Sequence, residues 1–233
     1  MNMIEVKTLS KSYKGVEVVN IPEINIAKGE SFGLVGNNGA GKTTFFRMIL
    51  DLIRPTTGEV LSKGENVKNN EDWKYYTGSF LDESFLIDYL TPDEYFDFIA
   101  SLHSYSKGDL EEFLNQFDDL FNDEIRGKKK YIRDLSKGNQ KKVGIVAALM
   151  GNPEIILLDE PFANLDPTTQ IRLKVILKKL KEENDVTLLI SSHDLNHVTE
   201  VCERIVLLEK GQIQQDIKTS ETTLKDLEAY FTV

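Results

Sequence analysis

Nine residues at 36–44, GNNGAGKTT, combine three glycines with a lysine and two threonines and contain no carboxylate. Glycines let the backbone approach a ligand closely, so the expected binding groups are peptide N–H groups, which favour anions. The spacing of Gly36, Gly41, Lys42 and Thr43 fits the phosphate-loop pattern of nucleotide-binding proteins. We predict that Lys42 neutralises the β and γ phosphates and that the Thr43 hydroxyl ligates Mg²⁺; a chance glycine-rich turn is the alternative. The predicted phosphate-binding residues are Gly36, Asn37, Asn38, Gly39, Ala40, Gly41, Lys42, Thr43 and Thr44.

Two carboxylates, Asp159 and Glu160, follow the apolar run Ile155 to Leu158. Such a run is typical of a strand covered on both faces. An aspartate at the end of that strand would lie beside the phosphate loop in a doubly wound sheet, where it can hold magnesium. We expect Glu160 to point the other way and to polarise a water against the γ phosphate, which favours hydrolysis over transfer to a second substrate. The alternative is that the two carboxylates only cap a helix.

The elements that must position these residues show a mixture of strand and helix patterns. Helical spacing over 44–50 follows the strand-like run Ser31 to Val35, so the loop should join a strand end to a helix start, where free N–H groups favour phosphate. Thr91-Pro92-Asp93-Glu94 is typical of another helix start. We interpret the helix-rich region 84–150 as an inserted helical subdomain. Strand-like segments are predicted at Met3–Thr8, Val16–Ile26, Ser31–Val35, Ile155–Leu158, Val186–Ser191 and Arg204–Glu209.

Composition excludes some classes of protein. The 233 residues include 38 acidic and 28 basic side chains, a formal net charge of −10, which argues against a nucleic-acid partner. The single cysteine, Cys202, has no internal partner for a disulfide, which fits a reducing compartment. The amino terminus lacks the apolar core of a signal peptide, and no apolar run approaches the ~20 residues of a membrane span. We therefore expect a cytosolic protein.

A further motif, Leu135-Ser136-Lys137-Gly138-Asn139-Gln140, opens a predicted amphipathic helix that runs to about Met150. Serine and glycine before a helix place a hydroxyl and bare N–H groups at an anion-seeking terminus, although a plain helix cap would look the same. In combination with the phosphate loop and Asp159-Glu160, this segment resembles the signature of ATP-binding cassette (ABC) subunits. The ligands that the resemblance implies are ATP and Mg²⁺.

The resemblance extends over essentially the whole chain and implies an α/β fold. Its expected parts are a P-loop NTPase core with a mainly parallel sheet, an N-terminal antiparallel β subdomain and an inserted helical subdomain. We expect a single domain over 1–233. Its core would comprise 1–81 and 151–216, its helical subdomain 82–150, and its C-terminal helix 220–231.

The same resemblance implies roles for residues outside the main motifs. Tyr13 matches the aromatic residue that stacks on adenine, although a strand-end tyrosine alone would fit surface packing. His193, in Ser191-Ser192-His193-Asp194, matches the switch histidine that donates to the γ phosphate. The segment Ala163 to Asp166 matches a loop that contacts the partner subunit. His103 and His197 have no motif and are expected to be plain surface or helix residues.

One position departs from the family pattern. Asp82, in the segment that begins at Gly78, aligns with a loop residue that is usually glutamine and that touches magnesium and the attacking water. We expect Asp82 to keep a catalytic and metal-binding role, although an aspartate is shorter and could reach the metal only through a water. Asn139 replaces the usual glutamine of the signature and keeps its amide chemistry.

The mechanism implied by the resemblance needs a second subunit. A second copy or a paralogue, related by a two-fold axis, would place Ser136 and Gly138 on the γ phosphate bound by the first copy. Hydrolysis would then loosen the dimer and drive the transport step. An integral membrane subunit would dock between the core and the helical subdomain, near the aromatic-rich run Phe80 to Phe98. The alternative for these aromatic residues is that they fill the helical core.

Two function classes remain open from the sequence. The first is the energising subunit of a membrane transporter, placed in the cytoplasm on the inner face of the cell membrane. We favour an exporter, because the segment 78–91 resembles export-type cassettes. The second is a soluble cassette ATPase that regulates or drives a ribosomal, repair or assembly system.

Overall fold

The computed structural model describes residues 1–220, and the helix predicted at 220–231 lies beyond this part from residue 221 onward. Seven α-helices are present in the described residues: α1 Lys42–Ile49, α2 Pro92–Leu102, α3 Lys107–Asn115, α4 Asp118–Phe121, α5 Lys137–Ala148, α6 Pro167–Asn184 and α7 Leu195–Val201. The same residues form ten strands: β1 Asn2–Tyr13, β2 Val16–Ala27, β3 Ser31–Val35, β4 Thr57–Ser62, β5 Glu65–Asn66, β6 Thr77–Phe80, β7 Ile155–Leu158, β8 Thr187–Ser192, β9 Arg204–Glu209 and β10 Gln212–Lys218.

The strands form two sheets. The larger sheet has the order β10-β9-β3-β8-β7-β6, and every neighbouring pair is parallel except β9 and β10. The smaller sheet, β2-β1-β4-β5, is antiparallel throughout. Helices α2 to α5 lie between β6 and β7 in the chain. The predicted fold class, with its mainly parallel core sheet, antiparallel N-terminal sheet and helical insertion, is confirmed.

The central strands of the large sheet are completely buried. Every residue of β3, β7 and β8 is buried, as expected for strands covered on both faces. Because β3, β8 and β7 are parallel neighbours, their carboxyl ends meet at one edge of the sheet. That edge, which we call the strand-end edge, carries the phosphate loop after β3, Asp159 and Glu160 after β7, and His193 after β8.

The helical insertion has its own apolar interior, built largely from phenylalanines. Phe96, Phe117 and Phe121 are buried and stack on one another, with ring centroids 5.7 Å apart for Phe96 and Phe121 and 6.3 Å for Phe117 and Phe121. The predicted helix start at Thr91 is confirmed as a capping box with Glu94, and Ser106 forms a second capping box with Asp109. The insertion is therefore stabilised by packing and by its caps.

Helix α5 differs from its prediction as an amphipathic helix. All residues from Gln140 to Ala148 are buried, because the helix lies between β6 of the core and helices α2 and α4 of the insertion. Gly144 marks a close approach, since a β-carbon there would lie 2.1 Å from the Phe80 ring. We call this contact, between α5 and Phe80, the seam.

Several strands were not predicted. β4, β5, β6 and β10 lack a strong apolar signal, since β10 alternates between exposed and half-buried residues and β6 is only four residues long. Cys202 is buried, and burial raises the pKa of its thiol well above the usual range, so the side chain packs as a small apolar residue. Among residues 1–220, no helix is long and apolar enough to span a lipid bilayer.

Candidate functional site

The phosphate loop wraps the end of β3 and leads directly into α1. Gly39 and Gly41 adopt left-handed backbone angles, with φ of 83° and 105°. Gly36 has no such angle but no room either, since a β-carbon there would lie 2.2 Å from the Leu208 carbonyl oxygen. These three positions therefore require glycine for two different reasons. Gly41, at the N-cap of α1, makes no side-chain hydrogen bond to the first turn, so among the described residues the first N–H groups of the helix have no side-chain cap, as an anion site needs.

The Lys42 side chain is buried and lies across the same loop. Its Nζ donates to the Gly36 carbonyl at 2.7 Å and lies 3.4 Å from that of Asn37. The same nitrogen lies 3.2 Å from Oε1 of Glu160. The loop lysine and the strand-end glutamate, 118 residues apart in sequence, are therefore an ion pair in this structure.

Asp159 is held at the strand-end edge by hydroxyl groups from two other elements. The Thr43 Oγ1 donates to its Oδ2 at 2.5 Å, and the Ser191 hydroxyl donates to its Oδ1. Burial raises the pKa of Asp159 above its ordinary value, while the hydrogen bonds from Ser191 and Thr43 act in the opposite direction. A buried carboxylate of this kind is suited to a cation.

The Thr43 hydroxyl and the Asp159 carboxylate match the ligand preferences of magnesium. Mg²⁺ prefers hard oxygen ligands and is commonly bound by one or two protein groups together with substrate phosphates and waters. A threonine hydroxyl and a carboxylate oxygen 2.5 Å apart, next to a phosphate loop, match that donor set. In the described part of the chain no group of three or more His, Cys, Asp or Glu side chains forms a cage for a metal. The site thus fits a metal that depends on the nucleotide for further ligands.

Glu160 has an unusual backbone and lies against Lys42 and His193. Its φ is 48°, in the left-handed region that non-glycine residues seldom adopt. Its N–H donates to the Ser191 hydroxyl at 3.0 Å, and its Oε2 lies 2.8 Å from Nδ1 of His193. Among residues 1–220, Oε1 is buried without a hydrogen-bond donor, because the Lys42 ammonium is close enough for an ion pair but poorly aligned for a hydrogen bond. Oε1 of Glu160 therefore accepts no hydrogen bond from the described residues and becomes available to a water when Lys42 moves away.

Asp82 lies at the rim of this site with both oxygens engaged. Oδ1 accepts from the Ser84 N–H at 2.8 Å and caps the short turn Glu83–Phe85. Oδ2 lies 3.4 Å from an Arg47 guanidinium nitrogen on α1. The structure thus joins Asp82 to α1 through Arg47, a contact that the sequence did not predict.

Tyr13 and the signature segment lie apart from these groups. Tyr13 is 48% exposed at the end of β1, with the Lys11 ammonium 4.9 Å from its ring centroid. Ser136 caps α5 by accepting from the Asn139 N–H, and Gly138 packs against the Asn164 carbonyl, which a β-carbon would approach to 2.8 Å. Ser136 is exposed and Asn164 is exposed beside it. The signature turn and the loop after Glu160 therefore form one outward-facing surface.

The other two histidines, His103 and His197, pack against neighbouring residues of the fold. His197, in α7, packs on the Phe162 ring at a centroid distance of 4.8 Å, and burial lowers the pKa of its imidazole. His103 ends α2 and lies against Gly151, where a β-carbon would meet its ring at 2.2 Å.

Three contact residues of the site were missed by sequence reasoning. Ser191 binds both Asp159 and Glu160, Arg47 binds Asp82, and Lys141 donates to the Glu160 carbonyl. A usable signal existed for two of them: Ser191 is a polar residue at the end of an apolar strand, and Lys141 lies in an otherwise buried helix.

Comparison with known proteins agrees with this geometry. A family model described as "ABC transporter" matches residues 19–163. The bacitracin transport ATP-binding protein BcrA of Enterococcus faecalis is 35% identical over 225 residues, which cover 94% of this chain and 70% of BcrA. The methionine import ATP-binding protein MetN of Carboxydothermus hydrogenoformans is 30% identical over 92% of this chain and 66% of MetN. The chain spans 56 to 70% of the length of eight similar curated relatives.

A solved structure shows the same architecture. The dimeric post-hydrolysis state of the ATP-binding cassette MJ0796, bound to ADP and Pi, is similar with a TM-score of 0.82 and 29% identity. The similarity covers 94% of this chain and 99% of that one. Because the family model covers more than half of the chain, and because relatives and fold agree with it, this chain belongs to the ABC transporter family as one of its ATP-binding, ATP-hydrolysing subunits.

Proposed function

We propose that this chain hydrolyses Mg-ATP as the energising subunit of a membrane transporter, working as a dimer that closes on ATP and opens after hydrolysis. The observation that carries the proposal is the position of the Glu160 carboxylate, between Lys42 and His193 and next to Asp159. A base, a phosphate-binding cation and a phosphate sensor are the parts that ATP hydrolysis requires.

Each group has a step in this reaction. Lys42 leaves its ion pair with Glu160 and neutralises the β and γ phosphates, whose remaining oxygens accept from the N–H groups of 36–44. Glu160, freed from Lys42, orients the attacking water with its buried Oε1 and accepts a proton from it. His193 donates to the γ phosphate, and Tyr13 stacks on the adenine. The Lys42–Glu160 pair thereby links release of the base to arrival of the phosphates.

Mg²⁺ would be held by the Thr43 hydroxyl and the Asp159 carboxylate, and when bound it would draw charge from the phosphate oxygens. Asp82 would take part through a water, after its contact with Arg47 loosens. Ser191 keeps the Asp159 carboxylate aligned with Thr43. We propose these roles on the donor chemistry of the residues present.

The dimer is supported by the exposed signature turn. Ser136 and Gly138 contact Asn139 and Asn164, on a surface that faces outward. MJ0796, at 29% identity, is a dimer bound to ADP and Pi. We propose that Ser136 and Gly138 of one copy, or of a paralogue, complete the nucleotide site of the other.

The membrane subunit is proposed to dock in the groove along the seam. A cavity of about 240 Å³ lies there, lined by Tyr75, Phe85 and Leu102 among others. These three side chains are 83%, 50% and 65% exposed, which is unusual for large apolar groups. Within the run Phe80 to Phe98, core filling fits the buried Phe80, Tyr95 and Phe96, whereas Phe85, Tyr89 and Phe98 are exposed and support docking. A docked membrane subunit would place the chain in the cytoplasm, on the inner face of the membrane.

We propose export as the direction of transport, because residues 78–91 resemble export-type cassettes. The relatives include a methionine import protein at 30% identity, so family membership alone leaves the direction open. Vesicles that carry the complex with this subunit facing outward distinguish the two directions. An exporter fills their lumen with cargo when ATP is added outside, and an importer empties it.

The replacement Glu160→Gln tests the mechanism directly. We expect ATPase turnover to fall by roughly 10³-fold, because the glutamine amide accepts no proton from the water. The Lys42 and His193 contacts to the nucleotide remain, so the variant should accumulate as an ATP-bound dimer. Turnover and size-exclusion chromatography with light scattering in saturating Mg-ATP measure both effects.

Glu154→Gln is the matched control, because Glu154 pairs with Lys63 on the surface, away from the strand-end edge. It should keep wild-type turnover and oligomeric state. A Glu160→Gln protein that is inactive yet monomeric with saturating Mg-ATP would contradict the shared-nucleotide dimer. One that still turns over ATP at the wild-type rate would remove Glu160 as the base.

A further inference from the structure

Lys141 is a buried lysine that the proposed mechanism leaves without a role. It lies in α5, five residues after Ser136, and its side chain is only 6% exposed. A buried ammonium is costly unless it is hydrogen-bonded and paired, so its contacts identify its purpose. Its Nζ donates to the backbone carbonyl of Glu160 at 2.7 Å.

The carbonyl that accepts this hydrogen bond belongs to Glu160, whose backbone conformation at the strand-end edge is strained. Glu160 has a φ of 48°, and such an angle in a non-glycine residue persists only where the surroundings hold it. The two sides of Glu160 are held by different parts of the fold. Its N–H donates to Ser191 of β8, in the core. Its C=O accepts from Lys141 of α5, in the insertion, at 2.7 Å and also from the Ala163 N–H at 3.2 Å.

Charge around Lys141 explains why a lysine is tolerated there. Glu83 Oε1 lies 4.0 Å from its Nζ, too far for a hydrogen bond but close enough for an ion pair. Burial lowers the pKa of Lys141, and the carboxylates of Glu83, Glu160, Asp159 and Asp82 oppose that shift. The ammonium therefore joins three segments: the turn after β6, helix α5 and the end of β7.

We propose that Lys141 is a positioning residue for hydrolysis. Its ammonium holds the Glu160 carbonyl and thereby sets the direction of the Glu160 carboxylate relative to Lys42 and His193. The orientation of the base then depends on the position of α5, the helix whose first turn carries Ser136 and Gly138. The inference rests on the proposed role of Glu160 as the base.

Lys141→Met removes the N–H donor and keeps the length of the side chain. Its partner Glu83 is 19% exposed and 4.0 Å away, so loss of the ammonium leaves no fully buried charge unpaired in the described part of the chain, and the variant should fold with a melting temperature close to that of wild type. We expect kcat to fall by about tenfold, because the base is misaligned, while KM for Mg-ATP changes by less than about threefold. Steady-state ATPase kinetics and thermal unfolding of the full chain measure these values.

Lys142→Met is the matched control. Lys142 is the next residue of the same helix and equally buried, but its ammonium is 3.8 Å from Glu124 of the insertion and not at the base. Its kcat should remain within about twofold of wild type. Lys141→Gln keeps an N–H donor without the charge, and we expect it to turn over at least about threefold faster than Lys141→Met.

Specific outcomes overturn the inference. Lys141→Leu is a second apolar variant of different shape, and a wild-type kcat in either folded apolar variant removes the positioning role. A Gln variant as slow as the Met variant does the same, because the donor would then not matter. If Glu160→Gln is inactive while Lys141→Met is normal, only the role of Lys141 fails. If Glu160→Gln itself turns over normally, the proposed base fails first.

Discussion

The strand-end edge of the core sheet and the helical insertion are stabilised in different ways. At the strand-end edge, Asp159 is a buried carboxylate and Glu160 has a strained backbone, so functional groups are held at a cost in stability. In the insertion, stacked phenylalanines and two capping boxes follow ordinary rules of stable packing. The comparison indicates that one region gives up stability to hold reactive groups, while the other is arranged for stable packing.

Among the variants that test this contrast, the largest effect is expected for Asp159→Asn. We expect kcat to fall by roughly 10²–10³-fold because the metal loses its charged ligand. Thermal stability without nucleotide should rise. Burial raises the pKa of Asp159 in the folded state, so its ionisation disfavours folding, and the stability it contributes falls as pH rises through that pKa. Because asparagine does not ionise, the variant avoids the free-energy cost of a buried charge.

Melting temperatures across a pH series and ATPase assays of the same preparations check the Asp159→Asn prediction. The melting-temperature gain of the variant over wild type should shrink as the pH is lowered. A variant that is less stable than wild type at neutral pH would show that Asp159 stabilises the fold, and the contrast would be lost.

The seam offers the second test, Gly144→Ala. A β-carbon at residue 144 would lie 2.1 Å from the Phe80 ring, and the overlap should outweigh the better helix propensity of alanine. We expect a net loss of about 1–2 kcal/mol in the free energy of unfolding. Gly108→Ala in α3 is the control, because the nearest atom to its β-carbon is Ser106 Oγ at 3.7 Å, and it should gain roughly 0.5 kcal/mol. Denaturant unfolding measures both, and equal effects would show that the seam is loosely packed.

The smallest effect is expected at the rim of the site, for Asp82→Ala. Because both oxygens of Asp82 are engaged by Ser84 and Arg47, its part in catalysis should be indirect. We expect kcat to fall by about fivefold, with little change in KM. Asp88→Ala, an exposed residue of the following segment, is the comparison variant. An unchanged kcat for Asp82→Ala would make Asp82 a structural cap only.

The sequence predicted the functional residues of the strand-end edge better than the residues that hold them in place. Gly36 to Thr44, Asp159 and Glu160 are local patterns next to apolar strands, so their elements could be read from neighbouring residues. Ser191 and Lys141 act on residues 32 and 19 positions away, and such pairings leave no local pattern. The strands β4 to β6 and β10 were missed for the same reason, because their partners and not their composition define them.

The order of strands in the large sheet has a consequence for biosynthesis. β3, which leads into the phosphate loop, lies between β8 and β9, and Val35 pairs with Ser192 and Leu207. A nascent chain emerges from its amino terminus, so the loop leaves the ribosome long before the two neighbours that fasten its strand. ATP therefore cannot organise the phosphate loop early in translation. The cassette gains its capacity to bind nucleotide only after the last strands of the sheet have been synthesised.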